Sequence, residues 1–423
     1  MYQKTTLNNG VRIVSASMRD IESLAVGVWV KTGSRYEQEE LCGISHYLEH
    51  LVFKGTKHYS CQQIKEAIEG VGGSFNGFTS EEATCFFIKA PSRYLERCLD
   101  ILAEMVLYPK LAVSDIEKER TVILEEIKMY KDLPQSYVHE LIDELLWPNQ
   151  PLGRSILGKE ETITRITRSD LENYRKQYYT SANIVISAAG NLCHSQLVRK
   201  IKKLFNALPC SLPSKFSAVE LKQTVPQLRI LNKDTEQTHL IVGFHGLSRL
   251  HPQRYAQSIL HIILGGNSSS RLFNEIREKR GLAYEIGTQV QRLNDTGAFF
   301  IHAGVDNNKV LETIQLIIKE INRIRIKKIG KGELRRAKEY LIGQLTLSLE
   351  DSLDQMLWIG EQTIMLNRVD TLKKVKREIN AVGLSQIHQV ADFIFCDSRL
   401  NLALIGPQKH REQAIKELLS IGK

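Results

Sequence analysis

The feature that most limits what this chain can fold into is an internal repeat. Leu24-Ala25-Val26-Gly27 is echoed by Leu240-Ile241-Val242-Gly243, and the stretch Asn183 to Gly190 by Leu400 to Gly406. Leu24 and Leu240, like Gly190 and Gly406, stand 216 positions apart. An amphipathic stretch follows the far end of each half, Leu197 to Phe205 and Ala414 to Leu419, and reads as a closing helix. A shared offset at both ends of a half-chain points to one fold, duplicated and fused. The 423 residues also exceed what a single hydrophobic core organises. We read two homologous domains, 1–210 and 227–423, with a linker at 211–226 that Pro209, Pro213 and Pro226 bracket.

Within the first half, Gly10 to Ser15 and Leu24 to Lys31 read as strands and Gly43 to Phe53 as a helix. Cys61 to Val71 is a helix closed by Gly72-Gly73, with strands near Ser74 to Thr79 and Thr84 to Ala90. Arg93 to Leu107 and Val113 to Leu146 are helical, the second bent near Pro134. Strands followed by runs of helices imply an α+β arrangement, a sheet covered on one side.

Composition bounds the function only loosely. A 42% hydrophobic and 25% charged content suits a globular enzyme. The net charge of +9 is spread out, with a modest concentration at Arg323-Ile324-Arg325-Ile326-Lys327-Lys328. No aromatic residues interleave with that run, so it reads as a solvated helix face and no nucleic-acid partner is expected. The seven cysteines (42, 61, 85, 98, 193, 210 and 396) are odd in number and form no C-x-x-C pair. Reduced, mostly buried thiols in a cytoplasmic protein are expected. Met1-Tyr2-Gln3-Lys4-Thr5 opens no apolar signal core, and no run of about eighteen apolar residues occurs, so no membrane association is expected.

His46-Tyr47-Leu48-Glu49-His50 carries the chemistry. On a helix, positions three and four apart share a face, so both imidazoles and the carboxylate face the same way. Two imidazoles one turn apart can chelate a divalent ion, and a carboxylate beside them can move a proton. The pattern H-x-x-E-H is the reverse of the zinc-binding H-E-x-x-H. The repeat offset places His46, Glu49 and His50 on Ile262, Gly265 and Gly266, so the second half lacks the pattern. That favours function over packing as its reason.

A catalytic zinc takes three protein ligands and keeps one position open. Glu117, Glu119, Glu125 and Glu126 are all candidates for the third. Glu119 and Glu126 lie two turns apart on one helical face, with Val122 and Ile123 between them suggesting that the face looks inward. Pairing of the glutamates with Lys118, Arg120 and Lys128 on an ordinary charged helix fits equally well. Spacing alone leaves the choice open.

The run from Gly43 to Thr56 resembles the core motif of the pitrilysin/insulinase (M16) zinc metallopeptidases, nearest the processing-peptidase subfamily. The likeness extends through Glu119 to Ile127, through Pro151-Leu152-Gly153 with Gly158, and through Arg277 to Tyr284. It implies one Zn²⁺ per chain bound by His46, His50 and Glu126, with Glu49 as general base and Glu119 orienting a ligand. It also implies that Asn76, Gly77, Phe78 and Thr79 form a strand pairing with an extended peptide substrate; the family more often has Ala at the position of Gly77. Arg277 and Tyr284 match a pair that meets the substrate carbonyl from across a chamber, implying a homodimer, or a heterodimer, of clamshell form. The duplicated fold, each half a mostly antiparallel sheet covered by helices, follows from the same likeness.

The expected function is therefore a zinc endopeptidase acting on extended or unfolded peptides. The alternatives are a non-catalytic or heterodimer-dependent subunit of a processing peptidase, and a zinc-containing peptide-binding module; the complete motif argues against a non-catalytic subunit and the intact Glu49 against a binding module.

Overall fold

Strands that are apolar on both faces mark the middle of a covered sheet, and this chain has such strands in each half. The computed structural model describes residues 2–327 and 329–422; Met1 and Lys328, both named above, lie outside the described residues. The first sheet contains β1 (Tyr2–Thr6), β2 (Arg12–Ser17), β3 (Ser23–Val30), β4 (Ser74–Thr79), β5 (Thr84–Pro91) and β6 (Ile184–Gly190), in the order β1-β2-β6-β3-β5-β4. The second contains β7 (Gln227–Asn232), β8 (Gln237–His245), β9 (Ala283–Arg292), β10 (Gly297–Asp306) and β11 (Leu400–Gly406), in the order β7-β11-β8-β10-β9.

Removing β1 makes the two orders identical. β2 runs parallel to β6 as β7 does to β11, and every other pairing is antiparallel. The echoed segments are the paired central strands, β3 with β6 and β8 with β11. Residues 2–6 are polar and carry no periodic signal, so β1 was not expected; it gains its order by pairing with β2.

The helices that position the site are α1 (Ile44–Val52), α2 (Cys61–Glu69), α3 (Leu95–Leu107), α4 (Val113–Asp132) and α5 (Pro134–Leu146). The long helical stretch divides at Leu133, which is extended at φ −98° and ψ 95°, as the residue before a proline prefers. Pro134 then occupies the first turn of α5, where its missing N–H costs nothing.

The chain forms two compact units that do not follow its halves. The first comprises 1–128, 154–217 and 346–371; the second comprises 129–153, 218–345 and 372–423. In the first, α3 packs on β3 and β5, and the helix Ser352–Leu366 packs on β2, β3 and β6. That helix sets Met356, Ile359 and Ile364 against Ala25, Trp29, Val185 and Ala189. A Cβ on Gly360 would lie 2.1 Å from Trp29 Nε1, so only glycine lets the helix approach so closely. In the second unit, α5 packs on β7, β8 and β11, with Leu141 and Ile142 among Ile241, Phe300 and Ala403. Each half of the chain thus lends one helix to the other half's sheet, and the expected boundaries of 1–210 and 227–423 cut across both loans. The sheets carry helices on both faces rather than on one, which is why β3 and β6 are buried along nearly their whole length.

The basic run ends the helix Val310–Ile326, where Arg323 pairs with Glu320 and Arg325 with Asp392. All seven cysteines are free, but only Cys42, Cys85 and Cys98 are buried, fewer than expected. Among the described residues, no helix is long and apolar enough to cross a membrane.

Candidate metal centre

The site is built on α1, and α1 begins without a side-chain cap of its own. Gly43 stands at the cap position with φ +93°. Its place is taken by the buried Glu37, whose two carboxylate oxygens accept from the N–H groups of Gly43 (2.8 Å) and Ser45 (2.9 Å). A carboxylate there satisfies orphan donors and meets the positive end of the helix dipole. Burial pushes the Glu37 carboxyl up, and its hydrogen bonds to Ser45 and Gly43 pull it back. The Ser45 hydroxyl continues to Tyr174 Oη (2.7 Å), which reaches Thr32 Oγ1 (2.7 Å).

The helix buries Ile44, Tyr47, Leu48, Leu51 and Val52 in the first unit. That packing turns His46, Glu49 and His50 to the opposite side, where His46 is itself buried and Glu49 and His50 are half-buried. Tyr47 donates its hydroxyl to the Ile116 carbonyl, tying α1 to α4. On α4, Ile123 is fully buried between Glu119 and Glu126, whereas Val122 is 47% exposed, so the expected inward face is narrower than the spacing implied.

His46 Nε2 and His50 Nε2 each lie 3.7 Å from Glu126 Oε2, and one ligand atom from each of the three residues falls within 4.8 Å of the others. These separations are too long for hydrogen bonds. They suit donors gathered around a shared cation, since bonds of about 2.0–2.1 Å at tetrahedral angles separate ligand atoms by about 3.3 Å. Among the described residues, this is the one such cluster. Two imidazoles and one carboxylate make a zinc donor set.

The surroundings favour a cation further. Burial, with His50 adding a smaller effect, lowers His46 to about 3, so its ring is neutral and ready to ligate at physiological pH. His50 Nδ1 lies 3.1 Å from Glu119 Oε2, which suits a proton on Nδ1 and a free lone pair on Nε2. The other oxygen of Glu119 lies 2.7 Å from Lys54 Nζ. Burial also raises Glu126 and Glu49. For Glu126 the neighbouring His50 opposes that shift; for Glu49, a hydrogen bond from Thr79 opposes it first.

Glu49 is not a member of the donor cluster. Its Oε2 accepts from Thr79 Oγ1 at 2.5 Å. Thr79 was expected in the substrate strand, and it does end β4, but its hydroxyl is spent on Glu49. β4 is the edge of its sheet, paired on one side with β5 alone. Asn76 Oδ1 accepts from the Gly77 N–H (2.8 Å), and Phe78 is exposed with its ring edge-on to Trp29.

Arg277 and Tyr284 lie in the second unit and are near each other. The guanidinium carbon of Arg277 stands 4.8 Å from the ring centre of Phe273 and 5.5 Å from that of Tyr284, which is 77% exposed. Arg277 sits on a π-helical turn, Phe273–Glu278, a local irregularity often found at functional sites. His58 bonds Glu104, His245 bonds the Leu146 carbonyl and His139 packs on Phe300; none joins a ligand cluster.

Sequence reasoning did not single out Glu37 or Lys54. Lys54 follows His50 by one helical turn, so its proximity was readable; nothing local points from Glu37 to a helix six residues ahead.

Comparison with known proteins bears on this geometry. Residues 12–160 match the family described as "Insulinase (Peptidase family M16)", and residues 165–341 match "Peptidase M16 inactive domain". A Bacillus subtilis (strain 168) protein named "Uncharacterized zinc protease YmxG" is 36% identical over 96% of this chain and 98% of its own length. A Mycobacterium leprae protein also named a zinc protease is 33% identical over 98% of this chain and 94% of its own. A Helicobacter pylori protease structure superposes with a TM-score of 0.89 at 24% identity, covering 96% of this chain and 99% of that one, which speaks to the fold alone.

Proposed function

Because this chain belongs to the insulinase (M16) peptidase family, we propose that it is a zinc-dependent endopeptidase hydrolysing extended or unfolded peptides, with Glu49 as general base. The observation that carries the reading is the division of labour on α1. His46 and His50 converge with Glu126 on one point, while Glu49 stands beside them outside the donor set. When bound there, zinc would supply Lewis acidity toward a peptide carbonyl and acidify an attacking water.

The chain's own residues supply the rest. Glu49 takes the water's proton as attack proceeds and passes it to the leaving amine; its burial, which raises the carboxyl, suits a group that accepts and returns a proton. The open edge of β4, with Asn76, Gly77 and Phe78, pairs with an extended peptide through main-chain hydrogen bonds, which tolerates varied sequence. Arg277 and Tyr284 offer a guanidinium and an exposed phenol to the substrate carbonyl or the developing oxyanion. In this reading they are supplied to the zinc of a second copy, so the working form is a homodimer closing around the peptide, with a heterodimer as the variant form.

The test is metal analysis together with cleavage of a quenched peptide, comparing wild type with Glu49→Gln after establishing the oligomeric state. One zinc per chain in both proteins, with turnover only in the wild type, is the expected result. Cleavage surviving in Glu49→Gln would sink the mechanism.

A further inference from the structure

We infer that Thr79 is a positioning residue for the general base, holding one oxygen of Glu49 so that its aim depends on the same edge strand that receives the peptide. The inference deepens the endopeptidase reading and rests on it for the role of Glu49.

The argument starts from how α1 lies on β4. Along β4, Ser74, Asn76 and Phe78 are exposed while Phe75, Gly77 and Thr79 are half-buried, the two-residue alternation of a strand lying on something. What it lies on is one side of α1. Phe53, which directly follows that helix, sets its ring 5.6 Å from that of Phe75. A Cβ on Gly77 would come within 3.2 Å of the Phe53 ring, so the strand backbone rests directly against it. Glu49 precedes Phe53 by four residues and therefore shares its side of the helix.

The two repeats agree in length. Four helical residues rise about 6 Å, and two strand residues span about 6.7 Å. If Phe53 meets Gly77, Glu49 must come opposite Thr79, where the 2.5 Å hydrogen bond is found. The seam is therefore apolar at Phe75 and Gly77 and polar only at its last position, beside the metal ligands.

The bond also has a direction. The hydroxyl donates to Oε2, which leaves Oε1 as the free oxygen to receive a proton from water. Removing the hydroxyl would free the carboxylate to sample other rotamers. Thr79 belongs to no donor cluster, so its loss should not touch metal binding. Its backbone stays in register with Thr84 of β5 whatever its side chain, so peptide pairing along β4 should survive.

Valine keeps the shape of threonine without the hydroxyl, and serine keeps the hydroxyl. For Thr79→Val we expect one zinc per chain, KM for an extended peptide within about twofold and kcat lower by about 10–100-fold, a fraction of what a general base contributes. Thr79→Ser should restore kcat to within about threefold. A second readout needs no turnover: thermal unfolding of metal-free Thr79→Val, Glu49→Ala and the double variant. If the hydroxyl holds the carboxylate, the double variant melts higher than the sum of the two single losses predicts. Wild-type kcat in Thr79→Val, a Thr79→Ser enzyme as slow as the valine variant, or strictly additive melting shifts would each overturn the inference. A zinc-loaded wild type that leaves the peptide uncut sinks the endopeptidase reading instead, and melting then decides whether Thr79 holds Glu49.

Discussion

Glu119 Oε2 lies 3.1 Å from His50 Nδ1, and the other oxygen of the same carboxylate lies 2.7 Å from Lys54 Nζ. One carboxylate thus spans the imidazole of a candidate metal ligand and an ammonium just past the end of α1. Such partners orient ligand rings, and losing them typically weakens metal binding about 10–100-fold. Lys54→Met removes the cation that holds Glu119, so we expect zinc affinity to fall toward the lower end of that range. Lys54→Arg should recover part of it. Competition against a chromogenic chelator measures both, and an unchanged affinity in Lys54→Met would show that Glu119 needs no help.

Glu37 caps α1, the helix that carries His46 and His50, from six residues away, and it is buried. Glu37→Ala leaves two main-chain N–H groups without their acceptor, at about 1–3 kcal/mol for each that water cannot reach. Glu37→Gln keeps one accepting oxygen and should cost less. Urea or thermal denaturation of the metal-free proteins checks the order wild type, Gln, Ala. Equal stability of all three would mean that water replaces the cap.

Two glycines near the site respond differently to a methyl group. Gly43 has φ +93°, and its Cβ would stand 2.7 Å from the Leu157 carbonyl oxygen and 2.8 Å from the Gly158 Cα, both backbone atoms. Gly43→Ala should therefore cost more than about 2 kcal/mol and weaken metal retention, because α1 must shift to admit it. At Gly77 the nearest atoms are ring carbons of Phe53 and Phe86 at 3.2 Å, which can yield by a few tenths of an ångström. Gly77→Ala should cost about 1 kcal/mol or less and keep its zinc. Parallel melting and metal analysis decide, and a milder loss at Gly43 than at Gly77 would contradict the argument.

His261 supplies a pH test away from the metal. Burial, aided by Arg292 and His302, lowers it to about 4 from an ordinary 6.5. Its folded pKa is depressed, so the unfolded chain takes up a proton first as pH falls. The neutral ring is fully compatible with folding above pH 6.5, and stability drains away between 6.5 and about 4. One such group contributes a slope of at most about 1.4 kcal/mol per pH unit in that window. His261→Gln should flatten the dependence of metal-free stability on pH between 6.5 and 4 by up to that amount. Curves for variant and wild type that run parallel there would rule out His261 as the source.

Much of the site could be read from local pattern. The i, i+3, i+4 spacing of His46, Glu49 and His50 requires a shared face on any helix, and α1 is one. The seven-residue spacing of Glu119 and Glu126 likewise brought both to the side of α4 that meets His50, although Val122 between them proved exposed. The break at Pro134 fell where proline chemistry puts it. Glu37, by contrast, is a lone acidic residue in a loop, and its partners are main-chain groups that no side-chain pattern announces.

From sequence alone, this protein is a duplicated α+β chain with a candidate metal-binding face in its first half, because periodicity and repeats depend on residues near one another or on a constant offset. Tertiary structure alone decided which surfaces meet. It exchanged α5 and the helix Ser352–Leu366 between the two sheets, seated Glu37 beneath α1, and joined Lys54 to Glu119 and Thr79 to Glu49. The physical reason is that an amphipathic pattern states that a face will be buried, while the partner that buries it is chosen by packing between segments far apart in the chain.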